Sequence, residues 1–554
     1  MTQATIRNVL PYFFMPMRTR TICHALCLLL FLSLLTACQL NPYKALNAQA
    51  KREYRIPIRP CSEEGNPCWN VFAKKFIYAP AFSFPEAEGA SGYRFTLTPD
   101  TGDPVSFRSA GPAASLAAVW DKLPCGNVNL TVDAVGRDGE VLGQIAERKF
   151  VKDFPFEGPY PGPASDYRDA ALKGLLYIHT LPEIQNWTKG PLPDMQYRHN
   201  TYPCKIIGAT IRVECLVASL MPARKENALA IARNAAQFLI DQSRSPEEPL
   251  AYFPPTYYSD LLASGKSWNQ GKTMTLEAVN AGHAFLDLHD LTGEGAWLDR
   301  AVEIGRTYVR LQRPDGSLPI KVDFATGEPV NGVSAMLQPL LRYFVRLEGY
   351  GFDEFAPARE KGERWMDEVA VKTFDMTGQF EDVNVNGLKP YQNLTNCTAA
   401  PYASYLLTKP SPDAKDRAHA LDLIRMSEDQ FVHWAYPERT EDGIWKRYAP
   451  CVHEQYSYEM PVNASACNVA NAWLDWYSLT GDLLSLAKAK ALIDQTTRMQ
   501  SPESGKIATC WEWRDAAADR RRSFWANCSL RSVMLLLRAD AMKDDLKKLE
   551  RSSD

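Results

Sequence analysis

The chain has 554 residues, 45% hydrophobic and 23% charged, with a formal net charge of only −3. That length supports a sizeable core and at least two domains, and the composition is that of an ordinary globular protein. The near balance of charge argues against nucleic acid as a partner.

Near the N-terminus, Met17-Arg18-Thr19-Arg20, an apolar run over 25–35 and Leu35-Thr36-Ala37-Cys38 supply the charged, apolar and small-residue regions of a secretory signal. The apolar run falls well short of the ~20 residues a membrane span needs. Leu35-Thr36-Ala37-Cys38 resembles the lipobox of bacterial lipoproteins, which implies cleavage before Cys38, lipidation of Cys38 and a mature chain held to the membrane by lipid alone. Gln39 in the next position resembles the outer-membrane sorting pattern of Gram-negative lipoproteins, and so implies the cell envelope, on its periplasmic or surface face. Residues 1–38 are therefore expected as the signal and 39–56 as a tether.

Of 13 cysteines, Cys23 and Cys27 leave with the signal and Cys38 carries lipid, so ten remain, an even number in an oxidising compartment. Cys61 and Cys68 are placed to close a small loop. Cys204 and Cys215, if they share a helix, sit ~16 Å apart at ~1.5 Å per residue and cannot pair. No CxxC or HExxH motif occurs, so neither a metal nor another cofactor is expected.

Residues 57–156 alternate with period two, as in Tyr93-Arg94-Phe95-Thr96-Leu97 and Val128-Asn129-Leu130-Thr131-Val132, and are broken by turns such as Arg137-Asp138-Gly139. The pattern is similar to fibronectin type III or immunoglobulin-like modules, which implies a small all-β sandwich. The proline-rich stretch 157–165 is expected as a linker.

Beyond it the chain is mainly α. Twelve helices are expected, starting near residues 166, 205, 225, 273, 296, 334, 355, 397, 414, 463, 484 and 524. Those from 205, 273, 334, 397, 463 and 524 are apolar with small residues on several faces, which suits an inner layer; those from 225, 296, 355, 414 and 484 carry charge along one side, which suits an outer layer. Two stretches, 285–319 and 473–507, repeat at a constant spacing of 188 residues. Both place an apolar helix, a Thr-Gly turn (Thr292-Gly293, Thr480-Gly481) and a charged amphipathic helix in the same order, the pattern of an αα-hairpin. Inner-to-outer turns are short, whereas outer-to-inner connections are long, and long loops in a compact domain are usually functional.

Five such hairpins, with the last helix folding against the first, would close a ring. At this point the chain resembles the six-hairpin glycosidase superfamily, which also contains lyases and sugar epimerases. The resemblance implies an (α/α)6 toroid over 166–540, preceded by the β-sandwich and followed by a charged tail over 541–554. It further implies one site where the long loops gather at the N-termini of the inner helices, whose unpaired amides suit anionic or hydroxylated ligands.

The loops are rich in aromatic residues, whose flat faces suit sugar rings. Paired carboxylates for glycoside hydrolysis are expected from Glu381 or Asp382 and from Glu454, with His453 beside them. Arg198, His199, Tyr257, Trp268, Asp323, Tyr391, Gln392, Tyr456, Tyr458 and Trp511 are expected to contact an oligo- or polysaccharide. Two other readings stay open: a uronic-acid lyase or epimerase that abstracts a proton with His199, His453 or Tyr456, and a non-catalytic glycan-binding lipoprotein. His283 and His289 are expected to serve core or outer-surface roles. Oligomeric state is not legible.

Overall fold

The computed structural model describes residues 42–58, 69, 71–435, 449–510 and 524–549. The N-terminal part holds a five-stranded sheet in the order β1-β7-β6-β3-β4, made of β1 (Lys75–Phe76), β3 (Gly92–Pro99), β4 (Val105–Ser109), β6 (Gly126–Val135) and β7 (Val141–Lys152). All pairs are antiparallel except β1 with β7. The alternation read from the sequence is the burial pattern: Tyr93, Phe95 and Leu97 point inward from β3, and Val128, Leu130 and Val132 from β6. The covering layer is small, a ribbon of β2 (Ala81–Ser83) and β5 (Ala113–Ser115) plus the turn at Trp120. Phe82 and Trp120 both pack against Phe150 of β7.

Six helical hairpins follow among the described residues. The inner helices are α3 (Gly208–Leu220), α5 (Ala278–Thr292), α7 (Gln338–Glu348), α9 (Asn396–Leu407), α11 (Asn463–Thr480) and α13 (Ala526–Ala541). Their outer partners are α4 (Lys225–Asp241), α6 (Gly295–Leu311), α8 (Ala356–Trp365), α10 (Ala414–Phe431), α12 (Leu483–Arg498) and, backing α13, α2 (Tyr167–His179). Each inner helix touches the next, and α13 returns to α3, so the ring is closed.

The repeat explains two of the hairpins. Gly293 and Gly481 end α5 and α11 at φ 73° and 74°, a conformation that L side chains rarely adopt, and each donates its N–H back into its helix, to His289 and Tyr477. Small residues on the inner helices allow close crossing. A Cβ at Gly282 would meet the Tyr343 hydroxyl at 2.3 Å, and that hydroxyl donates to the Ala301 carbonyl at 2.6 Å.

Three expected connections turn out to be packed. Residues 42–53, expected within a tether, form the helix α1 (Pro42–Glu53), because Leu46, Ala50 and Tyr54 recur every fourth residue and bury one face, while Gln49 donates to Asp482 at the head of α12. The expected linker is pinned: Asn47 exchanges two hydrogen bonds with Gly158, and Phe156 and Tyr160 pack on Trp434. The expected charged tail docks through buried Leu546 and Leu549.

Sheet and ring meet around one buried carboxylate. Glu428, near the end of α10, accepts from the hydroxyls of Tyr54 (2.6 Å) and Tyr78 (2.9 Å) and the indole of Trp434 (2.9 Å), and pairs with Lys488 of α12 at 2.7 Å. Its neighbour Asp429 accepts from the backbone amides of Ile77 and Tyr78.

The lipobox with Cys38 and the candidate loop Cys61/Cys68 lie outside the described residues. Cys204 and Cys215 are both free thiols, and no disulfide occurs among the described residues. Among the same residues no helix is long and apolar enough to cross a membrane.

Candidate active site

The long loops converge at the N-terminal ends of the inner helices, above a cavity of about 390 Å³ that runs down the ring axis. Lys205 enters it from the turn Pro203–Ile207 leading into α3, Glu277 from the turn before α5, Glu381 from the loop before α9, and Glu454 from strand β11 (Cys451–Gln455) before α11. Asn527 and Arg531, one turn apart on α13, complete the wall.

Lys205 donates to Glu381 Oε2 at 2.7 Å and lies over the ring of Trp525. Burial works against its ammonium, but Glu381 and Glu277 outweigh burial and hold its pKa above the usual lysine value. Burial pushes the carboxyl of Glu454 up, Lys205 offsets part of this, and Glu381 adds to it. Glu277 is raised in the same way. The two differ in their partners: Glu277 accepts from Asn280 at 3.0 Å, whereas Glu454 has a weak donor, the Cys397 thiol at 3.6 Å. The site therefore combines one ion-paired carboxylate with two carboxyls that burial favours as the neutral acid.

The Glu381 loop is fastened by its neighbours. The Tyr257 hydroxyl donates to the Glu381 carbonyl, Trp268 to that of Asp382 at 3.3 Å, and Lys321 to that of Val383 at 2.9 Å. Burial brings Lys321 down to about 8. Asp382 does not line the cavity, although burial and then Glu381 raise its pKa.

Not every expected residue joins this group. His453 and Glu454 are successive residues of one strand, so their side chains point to opposite faces. His453 lines a second cavity of about 890 Å³, between the sheet and the ring, together with Gln392 and Tyr456. There its Nδ1 is 3.1 Å from His433, whose other nitrogen is 3.1 Å from Asp153. Burial, then His433 and Lys75, push His453 well below the usual imidazole value, so its ring stays neutral. For Asp153 burial acts upward, but Lys75 and His433 hold it well below the usual carboxylate range.

The His199 ring lies tilted against Trp525 with ring centroids 4.0 Å apart, outside the lining of the cavity. Its Nδ1 is buried without a partner, and burial lowers its pKa to about 4. Arg198 is exposed beside it. Asp323 belongs to the two-stranded ribbon of β8 (Lys272–Met274) and β9 (Lys321–Asp323), pairing with Lys272 at 2.7 Å and accepting from the amides of Ala325 and Thr326. Tyr391 has a φ of 62° and donates its N–H to Asp375 and Thr377, and Tyr458 donates to the Cys510 thiol. Trp511 lies outside the described residues.

His283, expected in a core or outer-surface role, lines the deeper end of the axial cavity, where burial and then Arg212 and Arg346 lower it to about 3. His289 contacts the Glu294 carbonyl at the outer end of α5. Glu277, Asn468, Arg342, Asn527 and Arg531 were not anticipated from the sequence. Their signal is a polar stripe along otherwise apolar inner helices: Asn468, Asn471 and Asp475 on α11, and Asn527, Arg531 and Arg538 on α13, follow helical spacing.

No family model and no curated protein matches the chain. Among solved structures it is similar to a family 76 glycoside hydrolase from a bovine Bacteroides thetaiotaomicron strain, at 9% identity and a TM-score of 0.43 over 84% of this chain and 95% of that one. It is also similar to the cellobiose 2-epimerase of Spirochaeta thermophila, at 12% identity and a TM-score of 0.46 over 69% and 100%, and to an unsaturated glucuronyl hydrolase specific for heparin, at 10% and 0.44 over 68% and 98%. At this level of likeness neither a shared fold nor a shared activity follows.

Proposed function

We propose that this protein is a carbohydrate-active enzyme of the bacterial cell envelope, a glycoside hydrolase that cleaves oligo- or polysaccharide in the axial cavity. The observation that carries this reading is the convergence of Glu381, from a loop, and Glu454, from strand β11, on one cavity. Glycosidic cleavage needs one carboxyl that gives a proton to the leaving oxygen and one carboxylate that activates water or attacks the anomeric carbon. Glu454 takes the first role, because burial favours its protonated form and its weak partner leaves the proton free for substrate. Glu381, paired with Lys205, takes the second. Glu277 is the rival acid, less suited because Asn280 already occupies one of its oxygens. Trp268, which is 39% exposed, offers a face for a sugar ring.

Of the bases expected for lyase or epimerase chemistry, none of His199, His453 and Tyr456 lines this cavity, and the one histidine in its lining is His283 at the deeper end. Incubation with a panel of acidic and neutral oligosaccharides tests the proposal, with new saturated reducing ends as the expected product. Tight binding of a glycan without any turnover would favour the non-catalytic reading.

The lipid anchor is proposed from Leu35-Thr36-Ala37-Cys38. Cys38→Ser is expected to move the protein from the membrane to the soluble fraction, because the acyl chains hold it at ~0.8 kcal/mol per buried CH₂. Unchanged fractionation would remove the anchor from this account.

A further inference from the structure

Two guanidiniums that line the axial cavity have no carboxylate paired with them among the described residues. Its lining includes four cations, Lys205, Arg212, Arg342 and Arg531, and three carboxylates, Glu277, Glu381 and Glu454. Two of the cations are matched: Lys205 by Glu381, and Arg212 by Asp287 at 2.6 Å. The other two make no ion pair among the described residues. Arg342 donates to the Pro401 carbonyl at 3.2 Å, and Arg531 to the Asn468 side-chain oxygen at 3.4 Å, each using one of five N–H donors. Asp475, the carboxylate that acts on Arg342 through space, is held by Arg538 at 2.6 Å. Glu277 and Glu454 act on Arg531 through space, but neither forms an ion pair or hydrogen bond with it among the described residues.

A guanidinium is a planar fork that matches a carboxylate or sulfate with two parallel hydrogen bonds, whereas a neutral sugar hydroxyl uses little of that geometry. Asn468 stands beside Arg531, and the buried side-chain oxygen of Asn527, one turn before it on the same helix, has no partner. We propose that the cavity accepts an anionic glycan, with the acidic group of a sugar near the scissile bond held by Arg531 and its charge further balanced by Arg342. This deepens the hydrolase reading and rests on the axial cavity being the site of reaction.

The test is equilibrium binding to the full chain carrying Glu454→Gln, which separates recognition from turnover. Three probes are compared: a uronate-containing tetrasaccharide, its carboxyl-reduced neutral counterpart and a sulfated tetrasaccharide of neutral sugars. An acidic probe is expected to bind about 10-fold or more tighter than the neutral one, with a preference that weakens in salt. Whether the carboxylate or the sulfate is preferred tells which anion the site takes. Arg531→Gln is expected to erase most of the preference with melting unchanged, since Arg531 is exposed in the lumen, and Arg531→Lys to keep part of it. Arg342→Gln should lower the same preference by a smaller factor. Equal binding of the acidic probes and the neutral probe, or an Arg531→Gln loss that is the same for all three, would overturn the proposal. If instead Glu454→Gln leaves turnover intact while the acidic preference stands, the acid–base assignment fails and the anionic substrate does not.

Discussion

Glu454→Gln is expected to lower turnover by about 10³-fold while oligosaccharide binding persists, the loss that follows from removing the proposed general acid. The amide keeps the size of the side chain and can still accept from Cys397, so the cavity wall is preserved. It has no proton to give a leaving oxygen at any working pH. The wild-type rate should show the same dependence in its pH profile. Burial raises the Glu454 pKa, so the protonated form survives to higher pH than an ordinary glutamic acid allows, and activity is lost as pH rises through that raised value. The alkaline limb should vanish from whatever activity the variant retains. Full activity in Glu454→Gln, with loss in Glu277→Gln, would transfer the acid role to Glu277.

Glu428→Ala is expected to destabilise the folded chain by about 3–5 kcal/mol, as measured by chemical denaturation. The effect comes from what the truncation strands. Lys488 would keep a buried ammonium without its counter-charge, and Tyr54, Tyr78 and Trp434 would lose their common acceptor. Since Tyr54 follows α1 and Tyr78 follows β1, the loss should also loosen the sheet from the ring and raise amide exchange in both segments. The exposed pair Lys51–Glu157, with both side chains 58% accessible, serves as a control whose removal should cost no more than ~1 kcal/mol. A Glu428 variant as mild as that control would mean the two parts are held together elsewhere.

The helices were legible because their signals are local. Expected starts at 225, 296, 355, 414, 463 and 484 fall within a residue of α4, α6, α8, α10, α11 and α12, where a charged face or a Thr-Gly turn marks the boundary. The ring followed from alternating loop lengths, and its closure by α13 on α3 and α2 is the tertiary step that alternation implies. Glu381 and Glu454, which line one cavity, are legible as neighbours because each lies in a long outer-to-inner connection just before an inner helix. His453 was misplaced beside Glu454, since reading the segment as irregular loop ignored the alternation that β11 imposes through pairing with β10 (Val432–His433) and β12 (Tyr458–Pro461). Glu277 and Arg531 carry little signal in the sequence for a different reason. Each is a single charge in an apolar, small-residue run, and a helix of that kind reads as buried all round until the ring opens a polar lumen along its axis. The helix α1 is hard to read from the sequence because four-residue spacing of Leu46, Ala50 and Tyr54 is a weak pattern between a signal and a strand.

In the proposed reaction, water adds across a glycosidic bond in the axial cavity. Running the reaction in heavy-oxygen water with an oligosaccharide taken from the panel, and reading the products by mass, tests it most directly. Hydrolysis predicts one labelled oxygen at each new saturated reducing end, and no such product from the Glu454→Gln variant. An unlabelled product with an unsaturated uronate that absorbs in the ultraviolet, or exchange of a sugar C–H without chain cleavage, would contradict the account and place the chemistry with proton abstraction.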